Sequence, residues 1–267
     1  MNFEWAFFYG FIQGISEFLP ISSSGHLALI PFFGELKDPG VIFDLLMHLG
    51  TAIAVLLYFH KEVRRLIHES FLLFVYKDFK KTMFVQNFLI ATFFSFLLIL
   101  GLKKVAFLYG RSPLLIGFNF IFFGILMYIS DKKKGKNIDL TQQQDWKKSV
   151  LIGLSQSLAI FPGVSRSGIT LTSSRFLGMS RLQASRFSFL LSLPVIIGSI
   201  IFKIPDILDG SATSVEPHII VTGVGVSFFV GFLTIHYFLK LISRIGLGYF
   251  SLYRCLVGVL LVYLSLR

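Results

Sequence analysis

The sequence predicts an all-α integral membrane protein with an inverted-topology repeat, built of about six full transmembrane helices and two re-entrant helical hairpins. Three observations lead there. The 267 residues are 54% hydrophobic, with a mean hydropathy of +0.76 and 32 Phe, more apolar surface than a water-soluble domain carries and what a lipid-facing bundle requires. Two polar segments, GFIQGISEFLPISSSGHL at 10–27 and GLSQSLAIFPGVSRSGIT at 153–170, align without a gap and match at Gly10/Gly153, Gln13/Gln156, Phe18/Phe161, Ser22/Ser165, Ser24/Ser167 and Gly25/Gly168. The net charge of +11 comes from Lys and Arg lying mainly between apolar runs rather than in one stripe. That distribution belongs to membrane orientation and argues against a nucleic-acid partner.

A spanning helix needs about 20 apolar residues. The N-terminal MNFEWAFFYG has no basic n-region and no small-residue cleavage site, so it is expected to be mature sequence rather than a signal peptide. The segment 10–27 is too interrupted to cross as an ordinary helix. Its Ser, Gly and Pro would leave backbone groups unsatisfied in lipid, which is tolerated only beside protein or a polar cavity, so it is predicted to be a hairpin of two half-helices. The run 41–59 is the first span. The stretch 66–76 is short and holds His68 and Glu69, which suits an interfacial helix. Spans follow at 84–102 and 113–129, then a basic connector at 131–148, the second hairpin, and spans at 187–202, 219–239 and 250–266. The single cysteine, Cys255, lies in the last run, so no intrachain disulfide forms and a metal-thiolate site is not expected.

The likeness between halves continues past the hairpins, in FDLLMHLG from Phe43 and FSFLLSLP from Phe187. Each half is then one hairpin followed by three crossings. Three is odd, so the second copy is expected to be inverted relative to the first. One membrane domain, 1–267, results: repeat one over about 1–130, the connector at 131–148, and repeat two over about 149–267. Two crossings separate the basic segments 60–82 and 131–148, which therefore share a face, cytoplasmic by the positive-inside rule. Arg175, Arg181, Arg186, Lys240 and Arg244 are expected there as well. Segments 31–40 and 204–218, with Glu35, Asp38, Asp206, Asp209 and Glu216, fall on the opposite side, as does 103–111 despite Lys103, Lys104 and Arg111. Hairpin one then enters from outside and hairpin two from inside, their tips meeting near mid-membrane.

Polar groups at that depth are costly and call for a reason, and paired polar breaks in corresponding halves point to a binding site. Glu17 follows Gln13 by four residues, on one face of the first half-helix. Gln13 and Gln156 either serve the site or simply hydrogen-bond the partner hairpin. Ser22, Ser23 and Ser24 follow Pro20, and hydroxyls with free N–H groups at a helix N-terminus seat a phosphate. His26 adds a proton carrier within reach of a serine. In the second copy Arg166 stands at the loop tip between Gly163 and Gly168, and its planar fork suits phosphate oxygens. Ser165, Ser167, Gly168 and Thr170 complete the anion-binding set. Asp44 and His48, four apart in the next span, either support the site or pack the helix.

These segments resemble the motifs of the bacterial undecaprenyl-diphosphate phosphatase family of the bacitracin-resistance type. Its first motif, Glu or Gln, three residues, Glu, then FLP-x-SS-x-GH, stands here as Gln13, Glu17, Phe18-Leu19-Pro20, Ser22-Ser23 and Gly25-His26. Its second, PG-x-SRSG-x-T, stands as Pro162-Gly163, Ser165-Arg166-Ser167-Gly168 and Thr170. The resemblance covers nearly the whole chain. It implies a bacterial plasma-membrane enzyme that removes the terminal phosphate of a C55 polyprenyl diphosphate. The product is the monophosphate carrier for cell-wall glycan export, and bacitracin resistance accompanies that activity. It implies Ser23 as nucleophile, His26 as its proton partner, Glu17 as an acid/base or metal-linked group, Arg166 as phosphate clamp, and a pocket that opens outward. It also implies a divalent cation, magnesium or calcium, which nothing in the residues shows independently; Gln13 in place of Glu leaves one carboxylate for it. A homodimer is left open. The rival class is a transporter or flippase of polyprenyl phosphate lipids, which shares inverted repeats and broken helices but has no need of His26 beside Ser23. A lipid phosphatase of the vanadium-haloperoxidase-like kind would need a Lys-x6-Arg-Pro element that this chain lacks.

Overall fold

The computed structural model describes residues 3–34, 40–109, 112–135, 138–208 and 215–267, and among them every regular element is helical. The first polar segment folds as α1 (Phe3–Phe18) and α2 (Ser23–Gly34), broken at residues 19–22. The second folds as α7 (Trp146–Ser157), a 3₁₀ turn (Leu158–Ile160) and α8 (Arg166–Phe176), after a matching break at 161–165. Both predicted hairpins are therefore paired half-helices meeting at a polar loop.

Between them run α3 (Val41–Tyr58), α4 (His60–Tyr76), α5 (Met83–Tyr109) and α6 (Pro113–Lys132); α9 (Arg181–Leu208), α10 (Pro217–Ile245) and α11 (Gly248–Ser265) follow. Five of these, α5, α6, α9, α10 and α11, are long and apolar enough to cross a bilayer, and α3 with α4 makes a sixth candidate bent by 82° at Phe59. The protein is a multi-pass membrane protein. The helices run past the ends of the predicted apolar runs, because Lys103 and Lys104 extend α5, Arg181 begins α9 and Arg244 lies in the last turn of α10. Long cationic side chains continue a helix into the headgroup layer by reaching outward. The predicted interfacial stretch 66–76 is the second part of α4, with Glu69 buried and Ile67, Phe71 and Phe74 exposed. Phe93, Leu97, Phe118, Phe122, Leu252 and Leu256 face outward from the bundle, as a lipid-solvated surface demands.

α1 packs along α10, α7 along α5, α6 against α11, and α3 against α9 and α10. Gly10 and Gly153, matched in the sequence, sit at two of the closest of these approaches. A Cβ on Gly10 would collide with the Gly223 carbonyl oxygen, and one on Gly153 with that of Ala91. Without water to drive association, helices in lipid gain by such close backbone contact. Beneath the hairpins, Phe18 packs edge-on to Phe189 at 5.1 Å, and Phe189 lies 5.7 Å from Phe238. The residue after Glu17 is thereby anchored in the core.

The basic segments gather at one end of the bundle. Arg186 pairs with Glu62, Arg65 Nη2 donates to the Thr141 carbonyl at 2.7 Å, and Arg181 forks onto Asp131 at 2.6 and 2.9 Å. The Leu247 N–H also reaches Asp131, at 2.9 Å. Segments 60–82, 131–148, 175–186 and 240–247 thus share a face, as the crossing count predicts. Asp145 caps α7 there, accepting from the Lys148 N–H at 3.1 Å. Partial burial pushes its carboxyl up, but the Lys148 hydrogen bonds and charge outweigh that and hold it below its ordinary value. Glu35, Asp38, Arg111, Lys136 and Asp209 lie outside the described residues, as does the side chain of Asp206.

Candidate active site

Each hairpin loop turns on a serine with positive φ, Ser22 at 78° and Ser165 at 71°. This region is unfavourable for any residue with a Cβ, and its occupation at matched positions is strain held by the surroundings. What holds it is capping: Ser22 Oγ accepts from the Gly25 N–H at 3.3 Å, and Ser165 Oγ from the Gly168 N–H at 3.0 Å. The loops are also tied to each other. The Gly163 N–H donates to Ser22 Oγ at 3.2 Å, and Ser167 Oγ donates to the Leu19 carbonyl at 3.2 Å. Much of the polar cluster therefore builds the junction of the two tips. Thr170 belongs to the same scaffold, bonding the Arg166 carbonyl at 2.8 Å and the Ser188 hydroxyl at 2.5 Å. Ser24 lies beside Ser22 at 3.5 Å between the hydroxyl oxygens.

At that junction Glu17, Ser23 and Arg166 come together. Ser23 Oγ donates to Glu17 Oε2 at 2.6 Å, and Arg166 Nη2 donates to Glu17 Oε1 at 2.5 Å. The second arm of Arg166 donates to the Ser188 carbonyl at 2.9 Å, which fixes the fork. Gln13 Nε2 donates to Glu17 Oε2 at 3.0 Å. Glu17 is 5%, Ser23 8% and Arg166 13% exposed, so charge–charge and hydrogen-bond energies act here in a low dielectric. A carboxylate set against a hydroxyl takes up that hydroxyl's proton as the oxygen attacks, and an arginine at the end of a loop can release one oxygen to bind another.

The structure separates residues that the sequence groups together. His26 is turned away from Ser23: Nδ1 faces the Ser22 carbonyl at 2.8 Å and Nε2 the Tyr253 hydroxyl at 2.7 Å. His48 reaches Glu17 instead, Nε2 to Oε2 at 3.4 Å, while its Nδ1 faces the Asp44 carbonyl at 2.7 Å. The two matched glutamines differ. Gln13 serves Glu17, whereas Gln156 donates to Ser95 Oγ at 2.9 Å, binding α7 to α5.

Arg254 and Tyr253 of α11 are the members that sequence reasoning missed. Arg254 carries a charge inside an otherwise apolar run, and an ionisable residue there is itself a flag. Tyr253 has no comparable signal.

The donor set does not make a resident cage for the expected divalent cation. Among the described residues no three His, Cys, Asp or Glu side chains converge. Both oxygens of Glu17 are engaged, and Gln13 Oε1 is the adjacent buried oxygen without a hydrogen-bond partner. Magnesium and calcium take six or more oxygen ligands.

Nearly the whole chain is similar to known proteins. The family model described as bacitracin resistance protein BacA matches residues 6–260. An undecaprenyl-diphosphatase of Pelotomaculum thermopropionicum is 39% identical over 256 residues, which cover 96% of this chain and 94% of the relative. Undecaprenyl-diphosphatase 1 of Pseudoalteromonas translucida is 40% identical over 260 residues, 96% of each.

Proposed function

The chain belongs to the family of the bacitracin resistance protein BacA, and from that premise we infer that it hydrolyses undecaprenyl diphosphate to undecaprenyl phosphate and inorganic phosphate. It is a membrane phosphatase, and a role in carrier recycling for the cell wall, with resistance to bacitracin, fits that family. The observation that carries the chemistry is the contact of Ser23, Glu17 and Arg166 where the two hairpin loops meet.

Phosphoryl transfer is largely positioning and charge stabilisation. Arg166 shifts one arm from Glu17 to the terminal phosphate and neutralises it. Ser23 Oγ attacks the terminal phosphorus while its proton passes to Glu17 Oε2. The bond from phosphorus to the bridging oxygen breaks, and its electron pair stays on the prenyl monophosphate. Glu17 gives the serine proton up to the departing monophosphate; ionised again, it takes a proton from the water that attacks the phosphoserine and returns it to Ser23 Oγ as inorganic phosphate leaves. Backbone N–H groups at the starts of α2 and α8 other than the capped Gly25 and Gly168, with the Ser24 hydroxyl, line the anion's seat. The prenyl tail lies along the apolar outer helices. A divalent cation bound to the diphosphate would neutralise part of its charge.

The inverted repeat is part of this reading. Its support is the exchange pattern of contacts, α1 on α10 and α7 on α5, and the matched close-approach glycines. We place the basic face in the cytoplasm and the mouth of the site on the outer side of the bacterial inner membrane.

Purified protein in detergent is expected to release phosphate from C55 diphosphate faster than from C15 diphosphate, with loss of rate on chelation. No phosphate from either substrate would refute the activity. Ser23 is tested separately: acid-quenched turnover with terminally labelled diphosphate is expected to trap label on Ser23. Absence of labelled protein together with an active Ser23→Ala variant would transfer the attack to water.

A further inference from the structure

The C-terminal helix contributes two adjacent residues to the junction. Arg254 is fully buried, and among the described residues its guanidinium donates only to backbone carbonyls. These are Gly163 at 2.8 Å and Val164 at 3.0 Å in the second loop, Pro20 at 3.3 Å in the first, and Asn119 and Phe120 of α6 at 3.3 and 3.4 Å. A buried arginine without a carboxylate is costly unless its donors are matched, and here three elements supply the acceptors. Arg254 thereby fixes the height of α11 against both loops. α11 in turn crosses α6 so closely that a Cβ on Gly258 would lie 2.7 Å from the Gly117 carbonyl.

That fixed register places Tyr253 at His26. The rings are nearly parallel, 6° between planes and 5.8 Å between centroids, and Phe120 flanks the imidazole at 5.6 Å. A carbonyl oxygen only accepts, so the Ser22 carbonyl requires the proton on Nδ1. In the neutral ring Nε2 is then the lone pair, and the Tyr253 hydroxyl donates to it. The Ser22 carbonyl thus selects the tautomer, the phenol fixes the other end of the ring by donating to Nε2, and at 40% exposure the tyrosine stands where the network meets its surroundings.

We propose that Tyr253 is a positioning residue for His26: its hydroxyl donates to Nε2 and its ring stacks on the imidazole, which holds the Nδ1–H against the Ser22 carbonyl beside the loop junction. The inference rests on the reading of His26 as a working member of that site, and it separates the site into two proton-handling pairs. Ser23 with Glu17 serves the attacking oxygen, and His26 with Tyr253 forms a second pair joined to the first loop through the Ser22 carbonyl.

Tyr253→Phe keeps the ring and removes only the hydroxyl. In full-length enzyme in detergent, kcat for phosphate release is expected to fall about tenfold, with KM and the unfolding midpoint unchanged. In a His26→Gln background the same substitution is expected to have no further effect, because the two act through one another. Equal losses in both backgrounds would overturn the proposal, as would full kcat in Tyr253→Phe beside an impaired His26→Gln. Full activity of His26→Gln would instead remove the reading of His26, and the proposal with it. A measurement on the unmutated protein stands apart from folding of the variants. ¹⁵N NMR of the imidazole, assigned by loss of the signal in His26→Gln, is expected to show the proton on Nδ1. A proton on Nε2 of the neutral ring overturns the assignment.

Discussion

Arg166→Ala is expected to slow phosphate release by about a thousandfold or more, the scale on which arginines that meet a transferring phosphoryl group act. Two effects combine in it. The variant loses the fork that binds the terminal phosphate, and Glu17, 5% exposed, loses the cation 2.5 Å from Oε1. The second effect also lowers stability, by about 3–5 kcal/mol for one partner removed from a buried pair. Arg166→Lys separates the two. Lysine restores the charge beside Glu17 but cannot bond the Ser188 carbonyl and a phosphate oxygen in the fixed geometry of a guanidinium. Recovered thermal stability with kcat still depressed by about a hundredfold is therefore expected for Arg166→Lys. Near-normal phosphate release by a folded Arg166→Ala protein would end the clamp assignment.

Glu17→Gln is expected to reduce the chemical step by a factor of about 10²–10⁴, the usual worth of a positioned acid or base. The substitution keeps the shape of the side chain and an oxygen to accept from Ser23, 2.6 Å away in the parent. What it removes is the capacity to take the proton. Single-turnover measurements isolate this from substrate binding, where a smaller change is expected. A Glu17→Gln enzyme that runs its single turnover at the parental rate would show that the proton of the attacking oxygen goes elsewhere, and His48, 3.4 Å from the same carboxylate, would become the next candidate.

Much of this arrangement is written in local sequence. Runs of apolar residues mark the spanning helices because lipid leaves the backbone no other way to satisfy itself. The hairpins show as polar interruptions, and Gly10 and Gly153 pair in the alignment because each lies where a neighbouring backbone leaves no space for a Cβ. The meeting of Glu17 with Arg166 follows from two hairpin loops that converge. Partner choice inside the cluster is another matter. Ser23 lies three residues from His26 in the chain, yet the first turn of α2 directs them apart, one to Glu17 and the other to Tyr253. Ser22 and Ser165 read as phosphate ligands because a capping serine and a binding serine share one composition; only the positive φ and the Gly25 and Gly168 N–H bonds reveal the capping. Tyr253 is 227 residues from His26, and such a contact depends on the packing of α11 against α6 rather than on any pattern near either residue.

The clamp formed by Arg254 bears on how the protein is made. Its acceptor at Pro20 lies 234 residues earlier in the chain, and Arg166 follows Glu17 by 149. At synthesis speeds of about 5–20 residues per second, the ribosome takes roughly 7–30 s to add Arg166 after Glu17 and roughly 12–47 s to add Arg254 after Pro20. Throughout that interval the carboxylate and loop carbonyls of the first hairpin are unmatched by the groups that later enclose them, and for most of it the hairpin is outside the exit tunnel. Completion of its packing is therefore a late event of biogenesis: the earliest segment to emerge gains its last contacts only when the closing helix has been made.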